Sequence, residues 1–124
     1  MGFDHIGIRV PPRIFSATLA FYLSSLKPLG YKEMMRPIEN CVGLGVGRPE
    51  FFLTADKEVP TNQKVHLAFK AEDHATVDAF YSAGIKAGGT CNGPPGPRPE
   101  YNSPTYYAAF VLDPAGNNIE ASYE

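Results

Sequence analysis

The stretch that decides the fold is residues 106–121, YYAAFVLDPAGNNIEA. Its apolar residues predict one strand over residues 106–112 and a second over residues 118–123. Asp113-Pro114-Ala115-Gly116 lies between them and predicts a tight turn, because proline presets φ for a type I turn and glycine accepts a positive φ. Alternation along the second strand puts Glu120 on the face opposite the one that packs against a helix.

Outward from this hairpin, the same order of elements occurs twice in the chain: one strand, one helix and three strands. The repeat is about sixty residues long, measured from His5 in the first predicted strand to His66 in the fifth. Asp73 is the predicted N-cap of the second helix, and Gly84 is predicted to end it in the left-handed conformation. The predicted strands are residues 3–10, 31–36, 41–45, 50–54, 64–70, 85–91, 106–112 and 118–123, and the predicted helices are residues 14–26 and 74–83.

This order of elements predicts an α+β fold. Two βαβββ modules, at about residues 1–56 and 63–124, would form a curved, mostly antiparallel sheet around a cleft, with the helices on its outer face. A chain of 124 residues buries enough apolar surface to be stable without disulfides. We therefore expect residues 1–124 to form a single domain.

The composition argues against several classes of protein. Eleven basic residues against thirteen acidic ones, without a basic cluster, argue against a nucleic-acid surface. No apolar run approaches the ~20 residues of a membrane span, and the first ten residues lack the apolar core of a signal peptide. Two cysteines are too few for a disulfide framework, so we expect unlinked thiols in a reducing cytoplasm.

Residues 92–104, NGPPGPRPEYNSP, are rich in proline and predict a stiff, partly polyproline II loop. Prolines lack the N–H that a central strand of a sheet needs. The loop is either a surface connector or a rim over the cleft. As a rim it would offer Arg98, Tyr101 and Asn102.

Four potential metal ligands share the free face of the predicted strands. Alternation puts His5, Glu50, His66 and Glu120 on the side opposite the helices. Neutral imidazole and carboxylate oxygen suit zinc, nickel, manganese, cobalt or Fe(II). The residue pattern alone leaves a second interpretation open, in which the histidines are satisfied strand residues and the two glutamates are solvated.

Three stretches carry a resemblance to a known family: residues 3–10 (FDHIGIRV), residues 65–73 (VHLAFKAED) and residues 106–121. With the paired βαβββ order, they resemble the glyoxalase/bleomycin-resistance/extradiol-dioxygenase superfamily, also called the vicinal oxygen chelate proteins. The resemblance implies a divalent metal bound by His5, His66 and Glu120. It also implies a homodimer in which both chains contribute residues to the site.

Glyoxalase I members of that family have a second glutamate on the fourth strand. Phe52 matches that place here, and Glu50 lies two residues earlier on the same predicted face. The remaining set, two histidines and one carboxylate, resembles that of the dioxygenase branch.

The leading functional hypothesis is a divalent-metal-dependent, glyoxalase-like lyase or isomerase. It would act on a small oxygenated substrate through a metal-stabilised enediolate, with Glu120 or Glu50 as the base. One alternative is an Fe(II) extradiol-type dioxygenase with the same three ligands. Another is a non-catalytic, bleomycin-resistance-like protein that sequesters a ligand. The candidate pocket residues are Arg9, Phe52, Arg98, Tyr101 and Tyr106.

Overall fold

Two four-stranded sheets follow one another along the chain, and each carries one helix. The computed structural model describes residues 2–60, 62–101 and 103–124. The first module contains β1 (Ile6–Val10), α1 (Phe15–Ser25), β2 (Lys32–Ile38), β3 (Cys41–Gly45) and β4 (Phe51–Ala55). The second contains β5 (His66–Lys70), α2 (His74–Lys86), β6 (Thr90–Pro97), β7 (Tyr107–Leu112) and β8 (Asn118–Tyr123). The predicted α+β fold with two βαβββ modules is confirmed.

The two sheets have the same topology, with strand orders β1-β4-β3-β2 and β5-β8-β7-β6. β1 is parallel to β4 and β5 is parallel to β8, whereas the other neighbouring strands are antiparallel. The helices pack against each other and against the sheets, which leaves the opposite sheet faces open. Among the described residues, no helix has both the length and the apolar character needed to cross a membrane.

Helix α2 begins where it was predicted to begin and ends later. Its N-cap is Asp73, whose carboxylate accepts a hydrogen bond from Thr76 N at 2.7 Å. The helix continues through Gly84, so the prediction that Gly84 ends it is wrong. A Cβ at Gly84 would lie 3.3 Å from the Phe21 ring of α1, whereas Gly88 has the positive φ of 101°. Gly84 therefore serves the close packing of the two helices.

The proline-rich segment forms a strand over part of its length. β6 extends to Pro97, whereas the pattern predicted a strand over residues 85–91 and a loop from residue 92. β6 is the outer strand of its sheet, with β7 on one side only. Proline is tolerated there because its missing N–H can face away from the neighbouring strand. Its pairing with β7 shifts register on both sides of Gly93, which accommodates the prolines that follow. Asn102, a predicted rim residue, lies outside the described residues.

The Asp-Pro-Ala-Gly turn has a structural role at the junction of the modules. Asp113 is 4% exposed, and its carboxylate accepts hydrogen bonds from Ala115 N, Asn117 N and Asn117 Nδ2. It also accepts one from the Tyr22 hydroxyl of α1 at 2.5 Å. Burial, and then the neighbouring Asp113 carboxylate, raises the pKa of Tyr22 well above its usual value. The turn therefore ties α1 of the first module to the second module.

Aromatic rings continue the core across this junction. Phe51 of β4 meets Phe69 of β5 with ring centroids 5.7 Å apart, and Tyr31 meets Phe69 at 5.4 Å. Both contacts are edge-to-face, the geometry that aromatic pairs prefer. The shared core holds β1 beside β5, and a cleft of about 250 Å³ lies between these two edge strands.

Candidate metal site

His66 and Glu120 form a close pair on the open face of the second sheet. Their strands are parallel neighbours, and Nε2 of His66 lies 3.1 Å from Oε1 of Glu120. Nδ1 of His66 lies 2.9 Å from the backbone oxygen of Asn118. Because that carbonyl can only accept a hydrogen bond, Nδ1 carries the hydrogen, and in the neutral ring Nε2 keeps a lone pair. With a proton on Nε2 the 3.1 Å contact is an ion pair, and with a neutral ring a cation shared by Nε2 and Oε1 would take the place of that proton.

The other carboxylate oxygen of Glu120 is held from the side. Glu120 is 3% exposed, and its Oε2 accepts a hydrogen bond of 2.5 Å from the Tyr106 hydroxyl. Burial, and then this hydrogen bond, raises the pKa of Tyr106. Tyr106 therefore stays protonated at neutral pH and fixes the carboxylate with Oε1 towards His66.

Aromatic rings and one arginine surround this pair. The Tyr101 ring lies 5.1 Å from Tyr106 and 6.4 Å from Phe110, and Phe110 lies 6.2 Å from the His66 ring. Arg98 lies 5.5 Å over the Phe110 ring and donates hydrogen bonds to the backbone oxygens of residues 94 and 97. The structure thus brings Arg98, Tyr101 and Tyr106 together with His66 and Glu120.

His5, on the open face of the first sheet, is also oriented by a hydrogen bond at its Nδ1. Its Nδ1 donates to Oδ1 of Asp4 at 2.7 Å, which leaves Nε2 as the lone-pair atom of the neutral ring. Arg48 donates both to Oδ2 of Asp4 at 3.0 Å and to the Asp4 backbone oxygen at 2.8 Å. The hydrogen bonds from His5 and then Arg48 lower the pKa of Asp4. Phe52 meets the His5 ring edge-on, with centroids 5.2 Å apart.

The three predicted metal ligands do not meet within one chain. Among residues 2–60, 62–101 and 103–124, no three His, Cys, Asp or Glu side chains are grouped so as to hold a metal ion. His5 lies on the first sheet, while His66 and Glu120 lie on the second. The described residues of one chain therefore do not by themselves assemble the predicted three-ligand set.

Glu50 lies near His5 and away from the His66 pair. It lines the cleft between β1 and β5 together with His5 and Tyr31. Burial, followed by the interaction of the Tyr31 hydroxyl with the Glu50 carboxylate, raises the pKa of Tyr31 to about 12.

Arg9 lies apart from the site. It shares the predicted face of His5, but its guanidinium forms a 2.7 Å ion pair with Asp56 and lines different cavities from His5. Of the predicted pocket residues, Phe52 therefore lies beside His5, while Arg98, Tyr101 and Tyr106 lie beside His66.

Sequence reasoning missed the groups that orient the two histidines. Asp4 is the neighbour of His5 in the chain, and an acid next to a candidate ligand was a signal that could have been used. Arg48 and the Asn118 carbonyl could not have been found this way, because their contacts depend on which strands are neighbours in the sheets.

Known protein structures share this architecture. A glyoxalase/bleomycin resistance protein from Albidiferax ferrireducens T118 matches with a TM-score of 0.82 and 28% identity, over 98% of each chain. A glyoxalase/bleomycin resistance protein/dioxygenase family enzyme from Burkholderia phytofirmans PsJN matches with a TM-score of 0.71 and 23% identity, over 96% of this chain and 95% of that one.

A lactoylglutathione lyase from Agrobacterium tumefaciens matches with a TM-score of 0.69 and 20% identity, over 98% of this chain and 92% of that one. No family model and no curated protein sequence matches the chain. The chain therefore has the fold of the glyoxalase/bleomycin resistance/dioxygenase proteins over nearly its whole length, in agreement with the resemblance of its motifs.

Proposed function

We propose that the protein is a divalent-metal-dependent, glyoxalase-like enzyme that acts as a homodimer. Each metal ion would be held by His66 and Glu120 of one chain and by His5 of the partner subunit. The observation that carries the proposal is the 3.1 Å approach of His66 Nε2 to Glu120 Oε1. Each group is also oriented by a second hydrogen bond, His66 by the Asn118 carbonyl and Glu120 by the Tyr106 hydroxyl. Ligands held by such outer partners are typical of metal sites.

Two features of the first sheet support a partner subunit facing it. His5 is oriented by Asp4 and Arg48 although its side chain is 56% exposed. Apolar side chains also reach the same face, since Met35 is 41% exposed and lies with Phe52 around Gly43. A two-fold axis that places this face against the His66 face of the partner would cover the apolar surface and complete two equivalent sites.

A divalent ion bound there would act as a Lewis acid on two vicinal oxygens of the substrate, which favours loss of a proton from the adjacent carbon. The chain's own groups would then accept and return that proton. Glu120 has one oxygen towards His66 and the other bound by Tyr106, so Glu50 is the carboxylate with room to act as the base. Arg98 and Tyr101 would hold the rest of a small oxygenated substrate.

Metal content separates this proposal from the other interpretations of the site. We expect about one divalent ion per chain by mass spectrometry, lost in His5→Ala, His66→Ala and Glu120→Ala. His74→Ala is the matched control, because His74 stacks on Tyr107 at 3.9 Å instead of facing these residues. Wild-type protein that binds none of the candidate ions after reloading would refute metal dependence. Bound iron with oxygen uptake on catechols would instead support the extradiol-type reaction.

Mixing two inactive variants tests whether the site is shared between chains. In a heterodimer of His5→Ala and His66→Ala chains, one site keeps all three ligands and the other loses two. An equal mixture that exchanges subunits freely should therefore regain about a quarter of the wild-type metal per chain, since half of the dimers are mixed. A site within one chain would regain none.

Two observations favour a second candidate, a non-catalytic ligand-binding protein. The aromatic rings of Tyr101, Tyr106 and Phe110 form a wall suited to a planar ligand. The described part of a single chain also assembles no three-ligand cluster. Ligand binding that is unchanged by a strong chelator would support this candidate and count against the metal enzyme.

A further inference from the structure

A second set of polar residues lines the other end of the junction between the modules. Two cavities of about 130 and 320 Å³ share Arg9 and Lys64 in their linings, so they form one continuous depression. Arg13 lines the smaller of the two. Neither lining includes His5, His66, Glu50 or Glu120, so this depression is separate from the candidate metal site.

Two of the three cationic side chains, those of Arg9 and Lys64, are positioned by their surroundings. Asp56 holds Arg9 through Nη1 at 2.7 Å, and Asp56 is itself fixed because its Oδ1 accepts a hydrogen bond from Glu58 N at 2.9 Å. The alkyl chain of Lys64 lies against the β7–β8 turn, since a Cβ at Gly116 would be 3.1 Å from Lys64 Cε. Arg13 lies in the short 3-10 turn Pro12–Ile14 and is exposed at the rim of the smaller cavity.

The charge of this depression favours an anion. Three cationic groups line it, and Asp56 at its border supplies one negative charge. The ion pair with Asp56 uses one of the guanidinium nitrogens of Arg9 and leaves other N–H donors of that group for a ligand. Charge-assisted hydrogen bonds from arginine and lysine are the usual means by which proteins hold phosphate and carboxylate groups.

We propose that this depression binds a small dianionic molecule, through a phosphate or a dicarboxylate group, independently of the metal site. Arg9 and Arg13 belong to the first module, whereas Lys64 precedes β5 of the second. A bound anion therefore bridges the two modules and stabilises their packing by binding only the folded chain.

Calorimetric titration with inorganic phosphate and, separately, malonate tests the proposal on the full chain, with ionic strength held constant by sodium chloride. We expect saturable binding of one equivalent of at least one of these anions, and the preferred anion distinguishes a phosphate group from a dicarboxylate. Arg13→Ala should weaken this binding about ten-fold or more, because a charge-assisted contact is lost. The bound anion should also raise the unfolding temperature of the wild type.

Arg36→Ala is the matched control, since Arg36 on β2 pairs with Glu33 and lies outside both cavities. It should keep the wild-type affinity within about two-fold, as expected for a distant surface charge. Absence of saturable binding by both anions would overturn the proposal. Equal weakening by Arg13→Ala and Arg36→Ala would also overturn it, because that result would indicate attraction by overall charge.

Discussion

Replacing Tyr106 with phenylalanine tests the central contact of the candidate site. The change removes only the hydroxyl that donates to Oε2 of Glu120 at 2.5 Å and keeps the ring beside Tyr101. A hydrogen bond to a charged group contributes about 1.5–3 kcal/mol, and a buried acceptor left unsatisfied adds to the loss. Glu120 is 3% exposed, but Tyr106 is only partly buried and water can reach the vacated position in part. We therefore expect a loss of about 1.5–2 kcal/mol.

Urea denaturation of the metal-free protein at one protein concentration measures this loss without assuming any function. In a thermal melt of the same metal-free protein, the loss should lower the unfolding temperature by roughly 6 °C for a chain of this size. Tyr107→Phe is the matched control at the next position. Its hydroxyl donates to the exposed Asp78 carboxylate at 2.7 Å, so its loss should cost less than about 0.5 kcal/mol.

The same pair of variants tests the role of Tyr106 in orienting Glu120. If Glu120 is a metal ligand, Tyr106→Phe should weaken metal binding by about 10- to 100-fold, whereas Tyr107→Phe should leave it unchanged. Equal unfolding midpoints for the two variants would refute the reasoning from burial. Equal metal affinities would show that the hydroxyl does not position the carboxylate.

Two further predictions concern packing and alkaline stability. Gly89→Ala should destabilise the protein by about 1–3 kcal/mol in urea, because its Cβ would lie 2.5 Å from Val111 Cγ1. The control Gly7→Ala, with 3.7 Å to its nearest neighbour, should change stability by less than about 0.5 kcal/mol. Tyr31 keeps its proton up to about pH 12 in the folded chain, whereas the unfolded phenol releases it near pH 10. Stability should therefore fall as pH rises from about 10 to 12, and should fall less in Tyr31→Phe. An equal fall in both proteins would show that titration of Tyr31 has no part in it.

Local sequence patterns predicted the helices and strands correctly where the conformation of a residue depends mainly on its neighbours in the chain. Strand alternation placed His66 and Glu120 on the same face because β5 and β8 are regular over their full pairing. The pattern failed at Gly84, where packing against Phe21 outweighs the preference of glycine for a helix end. It also failed at the start of the proline-rich segment, because no local signal shows that β6 is an outer strand.

The arrangement of the candidate site depends on how the two sheets pack, which local sequence patterns do not report. Alternation states which face of a strand a side chain occupies, but it does not state which sheets face each other. His5 and His66 occupy equivalent places in the two modules, yet they belong to different sheets, and the described residues bring no three potential ligands together. Arg9 shares a strand face with His5 and still lines a different cavity, because the cleft beside β1 is divided along its length.

The contact of Phe52 with Gly43 bears on the chemistry that the first sheet can support. A Cβ at Gly43 would lie 2.7 Å from the Phe52 ring, so this glycine makes the room that the ring occupies. The ring then meets His5 edge-on, and the place where glyoxalase I members of the family have a carboxylate is filled by an apolar group. Asp4 and Glu50 are the acids that line the cleft with His5, and Asp4 is already engaged by His5 and Arg48. In the dimeric site that we propose, Phe52 would add no fourth protein ligand, which would leave open positions for a substrate, and Glu50 is our candidate base.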